Sequence, residues 1–545
     1  MAGLQGAALL AFGRRGSQAL AGTTFRHYPF DPVALQNFRQ KLFIPTVDGP
    51  FGVLDVVSPL TLSASAASFT LLPGRPSPFL LYQVEQVGKA YQNPILRIES
   101  GARLTVRLDN ALTEPTIIHW HGVNAPAAMD GHPSTAVAPG GRYEYDFVVR
   151  NRGGTYWYHT HAHKLTSKQA YNGLASFFLV EDDDQRWLNK ALDLQLGLTD
   201  LPLVIQDKQF DGQGRLRYRP NTQESMMGWL GDIVLANLTP NASLLVTPRT
   251  YRLRLLNGSN ARIYRLAFVN GTTRLNFTVI GTDGGLLERP ESATEAFLSP
   301  GERLDVLFDA GQAQPGAAVF LRSLAFDPME NEGADEGMGG MAGMTEKAGM
   351  ASAASGAKGK AGDSMSTSRL QQGAEFNVLK LAVTSGARVV ASLPATLSQV
   401  TPIRSEGAVE RKIDLSLDKR RFLINGRSFR MDEIAFEVKR GAVEIWRIAN
   451  PAAGMPHPMH LHGFSFQVLE RIGSPAWLAA DARFGGGRTV ADLGWKDTVL
   501  VWPGETVRVA IDFAHDHPGS QTYVFHCHNL EHADVGMMIN YKVQA

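Results

Sequence analysis

The stretch "RLTVRLDN", Arg103 to Asn110, alternates in character and ends in Arg, an apolar residue, any residue, then Asn. The pattern returns as "TYRLRLLN", Thr250 to Asn257, and as "VEIWRIAN", Val443 to Asn450. Alternation at period two places successive side chains on opposite faces of a strand, so each copy reads as a β-strand and not as a helix. A second landmark also recurs three times, a Pro-Gly turn feeding an alternating strand: "PGGRYEYDF" from Pro139, "PGERLDVLF" from Pro300 and "PGETVRVAIDF" from Pro503. Two markers in the same order three times define a repeated unit.

The first and second markers lie about 150 residues apart and the second and third about 190. The excess sits late in the middle unit. There Met329 to Ser368 runs through Gly, Ala, Ser, charge and six methionines (329, 338, 341, 344, 350, 365) with no strand pattern. With that insertion set aside the units match. Short alternating strands with 54 Gly and 29 Pro predict an all-β chain of three β-sandwiches in series, with few and short helices. The expected division is 1–39 as an N-terminal segment, then units at 40–185, 186–388 and 389–545. "EDDD", Glu181 to Asp184, reads as a solvated link at the end of the first unit.

At 545 residues the chain exceeds what one hydrophobic core supports. A 44% apolar and 19% charged composition with net charge +1 describes a globular protein without a polyanion-binding field, so nucleic acid is excluded as an expected partner. No run reaches the roughly 18 apolar residues of a membrane span. "AGLQGAALLAF" near the N-terminus reads as the apolar part of a secretion signal. Ala19-Leu20-Ala21 serves as its cleavage box and Gly22 as the expected first mature residue, although no basic stretch precedes it. That predicts a periplasmic or secreted location.

Ten of the 15 histidines fall in four short stretches: "HWH" at His119 and His121, "HTH" at His159 and His161, "HPMHLH" at His457, His460 and His462, and "HCHNLEH" at His526, His528 and His532. None lies between residues 164 and 456, so the middle unit reads as a spacer holding the outer two in register. Each His-x-His pair puts two imidazoles on one strand face, and four pairs supply eight ligands of a kind that suits copper, zinc or iron. His457, Cys527 and His532 add two imidazoles and a thiolate, and Met537 a long axial thioether, which is the ligand set of a blue copper site. Cys527 is the only cysteine, and a strand turns it away from its neighbours His526 and His528, so one segment serves two metal centres.

The motifs "HWHG", "WYHTHAHK", "HPMHLHG" and "HCHNLEHADVGMM" resemble those of the three-domain multicopper oxidases, the laccase-like family, over roughly residues 40 to 545. The resemblance implies three consecutive cupredoxin-like Greek-key β-sandwich domains and four copper ions. By it, His457, Cys527, His532 and Met537 hold a type 1 copper, and His119 and His460 the type 2 copper. His121, His159 and His528 hold one type 3 copper, and His161, His462 and His526 the other. It further implies that O2 and a small reducing substrate are the partners, either phenols and aromatic amines or Cu(I) and other low-valent metal ions. Asp130 in "MDGHP" resembles the family's acid beside the trinuclear cluster and is expected to supply protons. One departure stands out: relatives often carry an acid after the second type 1 histidine, where this chain has Ala533, with Asp534 one residue on. His27, His132, His163, His515 and His517 are expected outside the metal sites. A monomer is the expected state. The alternatives are copper storage by the methionine-rich segment and a copper-free structural role.

Overall fold

The computed structural model describes residues 38–45, 51–56, 59–72, 74–86, 88–330, 368–390 and 392–545. The signal-like segment and all but the edges of the methionine-rich segment therefore lie outside the described residues. The described residues are 47% strand and 10% helix. Among the described residues the strands form six sheets: four of five strands, two in each outer unit, and two of seven and eight strands in the middle unit. Each unit closes around its own apolar core, which holds Trp120 in the first, Phe268 and Phe308 in the second, and Trp446 in the third.

The repeated markers account for this architecture. Strands Arg103–Asn110, Thr250–Asn257 and Val443–Ala449 each lie between a parallel neighbour and an antiparallel one. The antiparallel neighbour is in every case the strand that leaves the Pro-Gly turn: Arg142–Val148, Arg303–Asp309 and Thr506–Asp512. The parallel neighbours are Leu60–Phe69, Asp200–Phe210 and Val409–Asp418. The asparagine that ends each marker has a matching job. The Nδ2 atoms of Asn110, Asn257 and Asn450 donate to the carbonyls of Val137, Leu298 and Val501, each two residues before the proline of its turn. A buried amide thus ties the end of one strand to the entry of the next, a polar link made where water does not reach.

Helices are short, the longest described being Asp183–Ala191. It corrects the reading of "EDDD" as a solvated link. Asp182 caps this helix by accepting from Gln185 N at 2.9 Å, while Asp183 and Asp184 occupy its first turn, where negative charge meets the positive end of the helix dipole. Gln40–Lys41 pairs in parallel with the middle unit's strand Ala242–Val246, so the start of the described chain laces two units together. No helix among the described residues is long and apolar enough to cross a membrane.

Candidate metal centre

Two strands of the first unit, Ile118–His121 and Gly154–Thr160, pair antiparallel and set His119 opposite His159. In the third unit, His457–Leu461 pairs with Gln521–Cys527 and sets His460 opposite His526. The two pairs of strands face each other across the contact between the units. The period-two expectation holds at each His-x-His: ring centroids within a pair lie 5.6 Å apart for His119 and His121, 6.0 Å for His159 and His161, 4.9 Å for His460 and His462, and 5.6 Å for His526 and His528. All eight are at most 1% exposed.

The ring nitrogens converge from different units. His119 Nε2 lies 3.3 Å from His460 Nε2, His121 Nδ1 3.4 Å from His159 Nε2, and His526 Nε2 3.3 Å from His161 Nε2 and 3.1 Å from His462 Nε2. The opposite nitrogens fix which atoms carry protons. His119 Nδ1 donates to the carbonyl of Asp130, His460 Nδ1 to that of Asp497, His159 Nδ1 to that of Thr160 and His526 Nδ1 to that of Cys527. A carbonyl only accepts, so the converging Nε2 atoms present lone pairs. Facing lone pairs repel, and a cation between them turns repulsion into ligation. Two imidazole nitrogens each about 2.0 Å from one ion would sit about 3.3 Å apart at a near-tetrahedral angle, which the observed spacings match. His528 keeps both ring nitrogens buried without a hydrogen-bond partner, and His161 its Nδ1. His528 lies with its ring 4.9 Å from that of His121.

Two aspartates organise the cluster with local pseudo-twofold symmetry. The first unit's Asp130 takes His119 on its carbonyl and His462 on Oδ2 at 2.7 Å; the third unit's Asp497 takes His460 on its carbonyl and His121 on Oδ1 at 3.0 Å. The rings stack accordingly, His119 on His462 and His121 on His460, both at 3.7 Å. Their charges part company. Burial pushes Asp130 well above the usual carboxylate range, and its Oδ1 has no hydrogen-bond partner. Burial would raise Asp497 too, but the Arg303 guanidinium overrides it and holds the acid well below that range.

Asp497 and Arg303 were not among the residues expected at the site. Arg303 belongs to the middle unit's Pro-Gly marker, and all five of its donors are engaged: Nε on Thr155 O, Nη1 on Gly301 O and Asp497 Oδ1, Nη2 on Asp283 O and Asp497 Oδ2. Gly301 in the same turn has φ +88, and a Cβ there would come within 3.0 Å of the His528 ring. The middle unit is therefore more than the spacer its lack of histidine suggested.

Cys527 points away from this cluster. Its Sγ lies 3.5 Å from both His457 Nδ1 and His532 Nδ1, while His532 Nε2 donates to the carbonyl of Met226 at 2.7 Å and so leaves Nδ1 as a lone pair. Met537 is fully buried in the same core, and its carbonyl accepts from Cys527 N. Burial pushes the thiol up; a cation between Sγ and the imidazoles reverses that and draws off the proton. Burial likewise lowers His457, His119, His121 and His462 well below 6.5, and His159 and His532 to about 3, so all are neutral and able to ligate.

Asp534 does turn inward, but onto the first unit: its carboxylate accepts from Thr166 N and from Ser167 N at 2.9 Å, and burial pushes it up to about 6. Glu531, also not singled out from the sequence, is buried on the middle unit, where it accepts from Tyr218 Oη, Trp229 N and Asn260 Nδ2; burial pushes it up to about 7. Both acids dock the helix Leu530–Asp534 between units. Of the histidines expected elsewhere, His132 bonds Asn540, His163 packs on Phe429, and His515 and His517 stack on each other. His27 lies outside the described residues.

Three family models described as multicopper oxidase match residues 80–185, 157–321 and 400–545. The multicopper oxidase mco of Staphylococcus haemolyticus is 30% identical over 83% of this chain and 81% of its own. A laccase of Bacillus stratosphericus is 30% identical over 78% and 79%. The crystal structure of the McoA multicopper oxidase of the hyperthermophile Aquifex aeolicus superposes with TM-score 0.79 at 37% identity, over 93% of this chain and 99% of that one.

Proposed function

The chain belongs to the multicopper oxidases, copper-dependent oxidoreductases that use O2 and a reducing substrate, and on that premise we propose that it carries four coppers and reduces O2 to water. His457, Cys527, His532 and Met537 hold a type 1 copper, His119 and His460 a type 2, and the sets His121, His159, His528 and His161, His462, His526 one type 3 copper each. The chemistry that copper supplies when bound is one-electron exchange: four electrons, taken singly from a reductant at the thiolate site, convert O2 and four protons into two waters at the three-ion cluster. The single observation that carries this reading is the set of imidazole nitrogens facing one another at 3.1 to 3.4 Å, two of the four contacts across the meeting of the first and third units. The units run 40–185, 186–388 and 389–545, and one chain supplies every group named, so the site needs no second copy and a monomer suffices for the reaction.

The chain's own residues do the rest. His526, Cys527 and His528 are consecutive, so the sulfur ligand and two cluster imidazoles are joined through a few covalent bonds. Asp130 orients His462 and, with Oδ1 free of hydrogen bonds, holds a proton beside the cluster. Asp497 locks His121 in the tautomer that leaves Nδ1 free.

Among reductants, the methionines favour cuprous ion. Met226 and Met227 of the middle unit and Met329 at the edge of the methionine-rich segment pack on the core that carries Cys527, and thioethers are soft ligands that suit Cu(I). Oxygen uptake with Cu(I) and with a phenol tests both levels of the reading. Uptake with either supports an oxidase, and a fall confined to Cu(I) in a Met226→Leu, Met227→Leu variant supports the metal ion as substrate. No uptake with any reductant by the copper-loaded protein would overturn the proposal and favour a structural role.

A further inference from the structure

The eight cluster histidines are sealed from solvent, so a gas that reacts there needs a route through protein. On strand Gly154–Thr160, Trp157 shares a face with His159, two residues on. Its ring lies 4.2 Å from that of His159, 5.0 Å from His121 and 5.6 Å from His528, so one indole covers three cluster imidazoles contributed by two units.

The same Trp157 helps to wall a half-open pocket with room for about 80 Å³ between the first and middle units, lined by Phe43, Phe51, Phe79, Ile95, Val204 and Leu256. Its polar members offer little to water. Asn93 is engaged with Tyr82 N and Gly173 O, Asn237 with Val204 N, Phe43 O and Pro202 O, Ser176 donates to Asn93 O, and Gln206 Nε2 donates to Gly258 O. A buried water needs roughly two to four polar partners, so an apolar lining with few free polar groups holds water weakly and favours apolar occupants. Size narrows the occupant further. An enclosed apolar cavity of about 150 Å³ accommodates benzene, so a pocket with about half that room suits a diatomic gas.

We propose that this cavity is a dioxygen-binding antechamber of the histidine cluster, with Trp157 as the partition between them. The inference rests on O2 being the oxidant. Transfer of O2 from water into the cavity is favoured by the hydrophobic effect, and passage past the indole edge delivers it beside His121, His159 and His528. The position of Trp157 follows from the strand that also presents His159, so the entry and the ligand are set by one element.

The test pairs xenon with cavity-filling variants of the copper-loaded protein. Crystals of the parent under xenon pressure are expected to show the gas in this cavity. Ala175→Leu and Val204→Phe, at two lining positions on different units, are expected to raise KM for O2 several-fold while leaving KM for the reductant and the copper content unchanged. Absence of xenon from the cavity, or an unaltered KM for O2 in a variant whose crystal shows the cavity filled, would overturn the inference. Failure of the parent to consume O2 at all would instead strike the functional reading on which it rests.

Discussion

At Cys527 one residue divides two chemistries. Its side chain meets His457 and His532, while its backbone carries His526 and His528 to the opposite side and its carbonyl fixes the tautomer of His526. Replacing Cys527 with Ser keeps the volume and the backbone, so thermal unfolding should stay within a few degrees of the parent while the blue absorption and the turnover vanish; turnover that survives would contradict the proposed electron route. Asp130→Asn leaves the His119 contact, which is to a carbonyl, but replaces the carboxylate facing His462. Outer-shell partners of this kind alter metal affinity or activity by roughly 10- to 100-fold, so turnover should fall by that order with the blue absorption intact, as measured by oxygen uptake and optical spectra.

At the scale of elements, the histidine pairs were legible because strand periodicity and ligand chemistry coincide within a few residues of sequence. A pair two apart on a strand has one possible face, and Cys527 between two such residues has the other. The markers were legible for the same reason, since the Asn that ends each strand answers to its own Pro-Gly turn. Asp497 and Arg303 were not. "GWKDTV" offers only a strand start, and the role of its aspartate depends on His121 from the first unit and Arg303 from the second, contacts that no local pattern encodes. "EDDD" failed only in part: Asp183 and Asp184 are exposed as its charge suggested, but the run opens a helix, whose start also attracts acids. The cross-unit clamp makes a prediction. Arg303→Met removes one partner of a buried pair, at a cost of roughly 3–5 kcal/mol. It also frees Asp497, so copper at the three-ion cluster should fall while the type 1 absorption persists. Arg303→Lys should recover part of the loss, since an ammonium restores charge without the two-pronged geometry. Copper content alongside paramagnetic resonance distinguishes this from global destabilisation, which would lower both signals together.

Over the whole molecule, the three units are held by buried polar groups as well as by apolar contact. Lys208, fully buried in the middle unit, donates to the Tyr171 carbonyl of the first and lies 4.1 Å over its ring; burial lowers its pKa to about 7 against the pull of Asp207. In the unfolded chain the amine titrates near pH 10.4. Below about pH 7 it is charged in both states and the fold bears the full burial cost, on the order of a few kcal/mol; from there to about pH 10 the cost fades and stability rises. Thermal unfolding of the parent relative to Lys208→Met should therefore improve across that window, and a constant difference would contradict the burial argument. A role for the methionine-rich segment in gathering cuprous ion is tested on this scale too. Leucine at 338, 341, 344, 350 and 365 should raise KM for Cu(I) and leave phenol oxidation unchanged if the thioethers gather cuprous ion; equal effects on both would dismiss that role.

The count of bound copper in the parent and in Cys527→Ser tests the central assignment most directly. Four per chain in the parent and three in the variant, with the blue colour lost, is the predicted result. Two or fewer in the parent, or no difference between the two proteins, would contradict it.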